Sequence, residues 1–463
     1  MCNALRLYFR RENEVRRYKT IHRFLHIKTY VCEHKISSRR ASNERPYGIV
    51  QTVAILRSGM ICFLILQTVY TNWERRLAVL QNCANNYNAI YTNWSILMFN
   101  ITELLKNEIS VWERLKNCGK PVVLYGMGDG ADKVLAAFDR YGIKASAVIA
   151  SDDFVRGQKF HDFTVKKLSD VETEFGDIII ALCFASQLPD VMEHITKISE
   201  KHETLVPSVP VFGNKLFDND FITENKEQIE SAYSLLADDL SKKVYENILK
   251  FYYTGRIDLL PPVTTGKDEA FGNILNLDEN ESYVDLGAYN GDTIDEFLHY
   301  TNGSYKRIIA FEPNAKNFEK LKLHCKGMAN VSLWQLGSYS KNTELIFNNK
   351  AGRNSAIADK GVATKVATVD TILCGMAAGY IKADVEGADM ETLIGMQKTM
   401  ENCKPKLNFS AYHRFEDIFR LALYIHSVNP DYKIFLRHHP YIPAWDTNLY
   451  CICLLYTSPS PRD

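Results

Sequence analysis

Twice in this 463-residue chain an apolar run ends in a glycine-rich loop that leads into an amphipathic segment. The first instance is PVVLYGMGDGADKVLAAFDRYG, from Pro121 to Gly142, and the second is SYVDLGAYNGDTIDEF, from Ser282 to Phe297. A strand that passes through a glycine loop into a helix typically opens a doubly wound sheet. Further apolar strands alternate with helical patterns after each instance. We therefore expect an α/β chain with two Rossmann-like doubly wound domains.

The pattern of strands and linkers predicts where these domains lie. We expect the first at residues 98–212, a helical linker at 213–267 and the second domain at 268–452. Hydrophobic residues make up 46% and charged residues 24%, as in ordinary soluble proteins. Because the formal net charge is zero, nucleic acid is not expected as a partner. The eleven cysteines form no CxxC pair, so reduced thiols in the cytoplasm are expected rather than a zinc site.

The two ends of the chain differ from this globular pattern. Met1 to Arg45 holds twelve Lys or Arg against four Glu and has no sustained period. Residues 1–97 can be read as a nucleic-acid- or membrane-binding arm, a disordered extension, or sequence upstream of a native start near Met98, which we favour. The apolar run GMICFLILQTVY, Gly59 to Tyr70, is too short to span a membrane, so no membrane partner is expected. Residues 453–463, CLLYTSPSPRD, resemble a translated sequencing-library adapter and are expected to carry no function.

The second glycine loop has the residues that a cofactor site needs. Gly287 and Gly291 allow the backbone to approach a ligand, and the following helix directs free amides toward it. Asp285 or Asp292 can hold a cationic amino group. Glu312 ends the next strand, where an acid takes both hydroxyls of a ribose. A turn-forming loop alone also produces DxGxxxG, whereas DxGxxxGD followed by a strand ending in FEP is more specific.

Four ordered motifs, VDLGAYNGDT, AFEPNAKNFEKL, TVDTIL and IKADVEGAD, resemble those of the FkbM family of methyltransferases. The resemblance covers about residues 268–450 and implies a class I methyltransferase fold that uses S-adenosylmethionine, mostly for O-methylation of sugars or polyketides. It implies that the loop that binds the methyl donor consists of Asp285, Gly287, Asn290, Gly291 and Asp292. It also implies that Glu312 binds the ribose and that Leu336 and Gly337 lie near the adenine. Family members commonly have EGAE where this chain has EGAD, which leaves the role of Asp389 open.

Three side chains are candidate catalytic groups for an alcohol acceptor. Asp384 and Glu386 follow a strand and share a face, so either can serve as a general base or cap the next helix. His413 also follows a strand end and can be a base or a structural residue. These three can in principle hold a metal, but their spacing matches no diagnostic pattern, and no metal is expected. Arg353 and Asn354 can bind a polar acceptor or lie in a solvated turn.

The first glycine loop is less specific. Gly126, Gly128 and Gly130 form a dinucleotide-like loop, and Asp152 ends the next strand, but the third glycine comes too early for the full fingerprint. The unit resembles nucleotide-sugar-binding units that precede some bacterial sugar-modifying domains, and it can equally be a scaffold for packing or dimerisation. We expect a cytoplasmic bacterial O-methyltransferase that acts on a sugar-containing or polyhydroxylated small molecule. An NAD-dependent oxidoreductase and a non-catalytic nucleotide-sugar-binding protein remain alternatives.

Overall fold

The computed structural model describes residues 51–54, 63–66, 99–347 and 362–453, and only the backbone of the first two segments. By their contacts the residues divide into two units, Met1–Leu97 and Met98–Asp463. In the first unit β1 (Gln51–Ala54) pairs antiparallel with β2 (Phe63–Leu66). The basic stretch, the rest of the apolar run, Arg353, Asn354 and the tail after Cys453 lie outside the described residues.

The second unit contains two α/β lobes, which we call the N-lobe and the C-lobe. The N-lobe, residues 99–212, has a four-stranded parallel sheet with the order β4-β3-β7-β8. Its main elements are α1 (Ile101–Leu105), α2 (Val111–Lys116), β3 (Val122–Tyr125), α3 (Asp129–Tyr141), β4 (Ala145–Ile149), α4 (Leu168–Phe175), β7 (Ile179–Leu182), α5 (Pro189–Lys201) and β8 (Glu203–Leu205). A small hairpin of β5 (Lys159–Phe160) and β6 (Phe163–Thr164) is attached. Helix α3 ends at Gly142, whose φ of 68° is a left-handed conformation that glycine commonly adopts at the end of a helix.

Two long helices follow the N-lobe, as the Gly-poor sequence of the linker predicts. They are α6 (Asn219–Leu235) and α7 (Asp239–Thr254), and the side chains of Asp218 and Asp238 cap their first turns. Helix α6 packs on the C-lobe helix α14 (Asp417–Val428), and α7 packs on the C-lobe strand β17 (Tyr432–His438). The linker is therefore part of the C-lobe core rather than a free connection. A short helix α8 (Lys267–Glu269) and a π-helical turn (Ala270–Leu275) lead into the C-lobe sheet.

The C-lobe has a seven-stranded sheet in the order β11-β10-β9-β15-β16-β18-β17. Its strands and helices are β9 (Ser282–Leu286), α9 (Asp292–Tyr300), β10 (Arg307–Phe311), α10 (Ala315–His324), β11 (Val331–Trp334), α11 (Val369–Leu373), β15 (Tyr380–Ala383), α12 (Asp389–Gly395), α13 (Gln397–Cys403), β16 (Lys406–Ser410), α14, β17 and β18 (Thr447–Cys453). All pairs among β11, β10, β9, β15 and β16 are parallel, whereas β18 runs antiparallel between β16 and β17. This is the class I methyltransferase arrangement and confirms the expected fold class.

Two details of the C-lobe differ from the sequence-based expectation. The run VSLWQLG is not one strand, because after β11 the chain leaves the main sheet. It joins a second sheet of β12 (Gly337–Ser338), β14 (Val362–Ala367) and β13 (Thr343–Phe347). Strand β18 was not predicted, although it is buried between two neighbours. Cys453, placed by sequence in the adapter-like tail, is the last residue of this strand and pairs with Tyr432.

The two lobes share one hydrophobic core, which includes Val123 and Tyr125 of the N-lobe and Ile381 and Phe409 of the C-lobe. They also share backbone pairs outside their sheets. Ser186 and Ile442 exchange hydrogen bonds of 2.8 and 2.9 Å, and the Phe212 amide donates to the His413 carbonyl at 2.9 Å. Within the described ranges, no helix combines the length and the apolar character that a membrane crossing requires.

Candidate functional site

A cavity of about 1640 Å³ lies between the lobes. Loops at the carboxyl ends of both parallel sheets line it, with Gly128 and Cys183 on the N-lobe side and Gly287, Glu312 and Asp384 on the C-lobe side. This is where ligands bind in doubly wound sheets, beside the point at which the strand order reverses. Single drug-sized ligands occupy pockets of roughly 300–1,000 Å³, so the cavity has room for two ligands side by side.

The glycine loop after β9 is tightly constrained at Gly287. Its φ is +88°, and a Cβ atom there would lie 2.1 Å from the Asp384 carbonyl oxygen. Gly291 has a φ of +102° and lies against the ring of His324. Both positions therefore require glycine, and the two glycines bring the loop backbone to the cavity and start α9 beside it. A larger residue at Gly287 would push apart β9 and β15, the two central strands.

Glu312 lies where the sequence predicts an acid at the end of β10. Its side chain is buried, and its two oxygens accept hydrogen bonds from the amides of Tyr289 and Asn314 at 2.9 and 2.8 Å. Burial raises the pKa of Glu312 to about 7, although these hydrogen bonds act in the opposite direction. A carboxylate held by two amides has lone pairs left, and Glu312 lines the cavity, so it can accept hydroxyl donors from a ligand.

The predicted donor residues divide into two groups. Those that line the cavity are Gly287, Asp292, Glu312, Leu336 and Gly337, whereas Asp285, Asn290 and Gly291 do not line it. Asp285 is fully buried and accepts a hydrogen bond from the Thr293 hydroxyl, which ties β9 to the first turn of α9. Burial raises the pKa of Asp285 above its ordinary value. The structure thus favours Asp292 over Asp285 as the acid that can face a cationic amino group.

The three catalytic candidates lie together at the end of β15. His413 is 1% exposed, and its Nε2 lies 3.1 Å from Asp384 Oδ1 and 3.9 Å from Glu386 Oε2. Its other nitrogen, Nδ1, lies 2.8 Å from Oδ2 of the fully buried Asp389. Asp384 and Glu386 line the cavity, but His413 lies behind them. The Asp389 carboxylate, whose role was open from the sequence, holds the imidazole.

The charges of this cluster decide what each member can do. Burial disfavours the charged ring of His413, but the carboxylates of Asp389 and Asp384 outweigh it and raise the pKa of His413 well above its ordinary value. Burial likewise opposes ionisation of Asp384, but His413 and Lys382 together hold the pKa of Asp384 below its ordinary value. An imidazolium with both nitrogens facing acids cannot accept a proton. This geometry does not support His413 as the base and leaves Asp384 and Glu386.

A second buried group involves Asp389, His413 and Asp417, whose ligand atoms lie within 4.8 Å of one another. Asp417 accepts a hydrogen bond from the Arg414 amide, and burial raises the pKa of Asp417 to about 8. The two ring nitrogens of His413 already lie next to the carboxylates of Asp389 and Asp384, so the ring takes the place that a bound cation would have beside these two acids.

The N-lobe candidates are not brought together in the same way. Gly128 and Gly130 line the cavity, but Gly126 and Asp152 do not. A Cβ atom on Gly130 would lie 2.3 Å from the Cys183 carbonyl oxygen, so this glycine lets α3 pack closely against the end of β7. Asp152 is exposed and lies 3.7 Å from the ammonium group of Lys167. The loop and the acid that a dinucleotide would bridge therefore do not share one cavity.

Several cavity residues carry no motif that sequence reasoning could use. Lys382 on β15 is half-buried and faces the cavity beside Asp384, and the acids around it raise its pKa despite burial. A lysine inside the short apolar strand YIKA, two residues before Asp384, was the available signal. Tyr412, Tyr441 and Trp445 also line the cavity. They lie in loops that only the fold brings next to Asp384.

Residues 285–442 match the sequence model of the Methyltransferase FkbM domain. These residues include the glycine loop after β9, Glu312, and the cluster around Asp384 described above. By sequence, residues 285–442 are therefore similar to an FkbM methyltransferase domain. A search of curated proteins found no match.

A solved structure has a fold similar to that of this chain. Methyltransferase FkbM from Methylobacillus flagellatus KT is 21% identical to this chain, with a TM-score of 0.56, and the match covers 76% of this chain and 93% of the other. The shared fold therefore extends well beyond the FkbM domain itself. An rRNA methylase from Streptococcus thermophilus matches at 14% identity and a TM-score of 0.27, covering 40% of this chain and 93% of its own length.

Proposed function

We propose that this protein is an S-adenosylmethionine-dependent methyltransferase that methylates a hydroxyl oxygen of a sugar-containing or other polyhydroxylated small molecule. The observation that carries the proposal is a single cavity lined both by the donor-type loop with Glu312 and by the ionised carboxylate of Asp384. The FkbM domain at residues 285–442 supports the reaction type. The seven described cysteines are all free, which supports a reducing compartment such as the cytoplasm.

The residues present fit the methyl donor. Glu312 offers a buried carboxylate for ribose hydroxyls, Asp292 an acid for the amino group, and Gly287 a backbone that no side chain blocks. Leu336 and Gly337 line the part of the cavity next to Glu312, where an adenine ring would lie. When bound, S-adenosylmethionine supplies an electrophilic methyl group. The loop residues bind and orient this donor, and much of the rate enhancement of such a displacement comes from positioning.

Asp384 is the group that we assign to the acceptor hydroxyl. As an ionised carboxylate at the cavity wall, it accepts a hydrogen bond from the hydroxyl and orients the oxygen lone pair toward the donor side. When the oxygen loses its proton, we assign Asp384 as the proton acceptor, and Glu386, which also lines the cavity, is the second candidate. His413 is a positioning residue, because it fixes Asp384 through Nε2 while Asp389 fixes the ring through Nδ1.

Lys382 has an electrostatic part in this arrangement. It lies on the same strand face as Asp384, two residues earlier, and both line the cavity. Its ammonium charge favours the ionised form of Asp384 and also favours negative charge that develops on an acceptor oxygen. Replacing it with methionine removes the charge with little change in side-chain length.

The Asp384→Asn variant tests this assignment. We expect turnover to fall about 100-fold or more, as for the loss of a general base, while donor affinity changes by less than about twofold. Turnover is measured by transfer of labelled methyl from S-adenosylmethionine to a panel of glycosides and polyols, and donor affinity by calorimetry. Equal loss of both quantities, or of neither, would exclude Asp384 from the acceptor role.

A further inference from the structure

One face of the cavity carries three aromatic rings next to Asp384. Tyr412 follows β16, and Tyr441 and Trp445 lie in the loop between β17 and β18. The rings of Tyr412 and Trp445 are nearly parallel, 21° apart with centroids separated by 6.3 Å, and Tyr441 lies 5.9 Å from Trp445. We call this group, Tyr412, Tyr441 and Trp445, the aromatic platform. Its three rings line the cavity beside Asp384, the group that we assign to the acceptor.

Polar groups surround the platform on the C-lobe side. The Tyr412 hydroxyl lies 3.4 and 3.5 Å from the two oxygens of Asp384, so the platform begins at the proposed acceptor group. Asp446 directly follows Trp445, Asn448 is two residues further on, and both line the cavity. Lys267, paired with Glu296, also lines the cavity. Carboxylates, amides and an ammonium group next to an aromatic face are complementary to a ring that has hydroxyls at its rim and C–H groups on its face.

The N-lobe holds the platform in place. The loop that carries Tyr441 and Trp445 pairs with the N-lobe through the two backbone hydrogen bonds between Ser186 and Ile442. Within the loop, the His439 amide donates to the Asp446 carbonyl, and the Thr447 hydroxyl donates to the Ala444 carbonyl. The N-lobe loop that follows β7 therefore fixes the aromatic platform. The N-lobe can contribute to the site in this way without binding a nucleotide.

We infer that the aromatic platform is the acceptor subsite and that its ligand is a pyranose ring, which stacks on Trp445 and presents one hydroxyl to Asp384. This inference rests on the proposed function for the identity of the reaction, but the subsite itself is defined by residues separate from the donor loop. A pyranose fits better than a flat aromatic acceptor, because the polar groups around the platform are more numerous than one or two phenolic hydroxyls can use. An acyclic polyol has the hydroxyls but lacks a rigid C–H face for the ring to contact.

The test uses the full chain with S-adenosylhomocysteine present and saturation-transfer NMR on mixtures of methyl pyranosides, glucitol and catechol. We expect signals from at least one pyranoside, strongest for its ring C–H protons, and none of comparable size from glucitol or catechol. The Trp445→Ala variant should weaken pyranoside binding about tenfold or more, since it removes the stacking surface. Trp334→Ala is the matched control, because Trp334 does not line the cavity, and it should leave the pyranoside signal unchanged.

Each outcome of this test has a distinct meaning. Catechol signals without pyranoside signals, no signal from any pyranoside, or equal signals in the Trp445→Ala and wild-type proteins would overturn the subsite. A Trp445→Phe variant guards against misfolding, because it keeps an aromatic face and should retain most of the binding. If pyranosides bind on Trp445 but S-adenosylhomocysteine does not bind, the proposed function fails while the sugar subsite stands.

Discussion

The two glycine loops of this chain share the same sequence pattern, a strand followed by glycines and a helix, but their surroundings in the structure differ. In the C-lobe, the loop after β9 and the acid after β10 face one cavity, and Gly287 lies against the backbone of Asp384, directly after β15. In the N-lobe, Gly130 packs on the Cys183 backbone, and Asp152, the acid of the next strand, points to solvent near Lys167. A glycine loop thus indicates a strand-to-helix turn. Only the position of the following acid shows whether a ligand site is built on it.

Substitution of single glycines gives the largest expected difference between the lobes. Gly287→Ala forces a side chain into the Asp384 carbonyl at a positive φ, and we expect it to cost about 3 kcal/mol or more of folding free energy and to abolish donor binding. Gly128→Ala is the matched change in the N-lobe, where φ is −118° and no atom lies within 4 Å of the added Cβ. Thermal unfolding and calorimetry should find that variant close to wild type, and a comparable loss in both would erase the distinction.

The next largest difference between the lobes is expected for the two acids Glu312, which follows β10, and Asp152, which comes after β4. Glu312→Ala should weaken S-adenosylmethionine binding by about 1.5–3 kcal/mol, as expected for lost hydrogen bonds to a charged group. Asp152→Ala should leave donor affinity unchanged. Calorimetric titration of both folded variants measures this, and an unaltered affinity in Glu312→Ala would remove Glu312 from the ribose role.

Donor affinity should also depend on pH through Glu312. Its pKa is raised to about 7, so the carboxylate is ionised above this pH and becomes protonated as the pH falls through 7. Because the ionised form accepts hydroxyl donors, affinity should be highest at pH 8 and fall about tenfold by pH 6. The residual binding of Glu312→Gln should lack this step, and a wild-type affinity that rises toward pH 6 would have the wrong sign.

The smallest effect is expected for the charge on Lys382. Lys382→Met should lower turnover by about tenfold and shift the acid limb of the pH–rate profile upward, since Asp384 loses a neighbouring cation. Lys382→Arg should recover part of the activity because it keeps the charge. Identical pH profiles in the methionine variant and the wild type would show that Lys382 does not act on Asp384.

Structural features that depend on short stretches of sequence could be predicted from the sequence. Apolar runs and glycine loops predicted the strands β3, β9 and β10, the two α/β lobes and the place of Glu312, because these depend on short-range patterns. Burial between β16 and β17 makes β18 a strand, and its sequence shows no clear alternation, so it was not predicted. The sequence indicated His413 only as a candidate base at a strand end, because its contact with Asp389, which raises the pKa of His413, arises only in the tertiary fold. The aromatic platform depends on two loops that are separate in the sequence, and it was missed for the same reason.

Calorimetric titration of the wild-type chain with S-adenosylmethionine, and separately with NAD, tests the central claim most directly. The donor-type cavity predicts one S-adenosylmethionine per chain, bound through the C-lobe loop and lost in Gly287→Ala but kept in Gly128→Ala. It predicts no NAD binding, because the N-lobe loop and Asp152 do not share a cavity. NAD binding that Asp152→Ala abolishes, together with no heat from S-adenosylmethionine, would contradict the account and favour an oxidoreductase centred on the N-lobe.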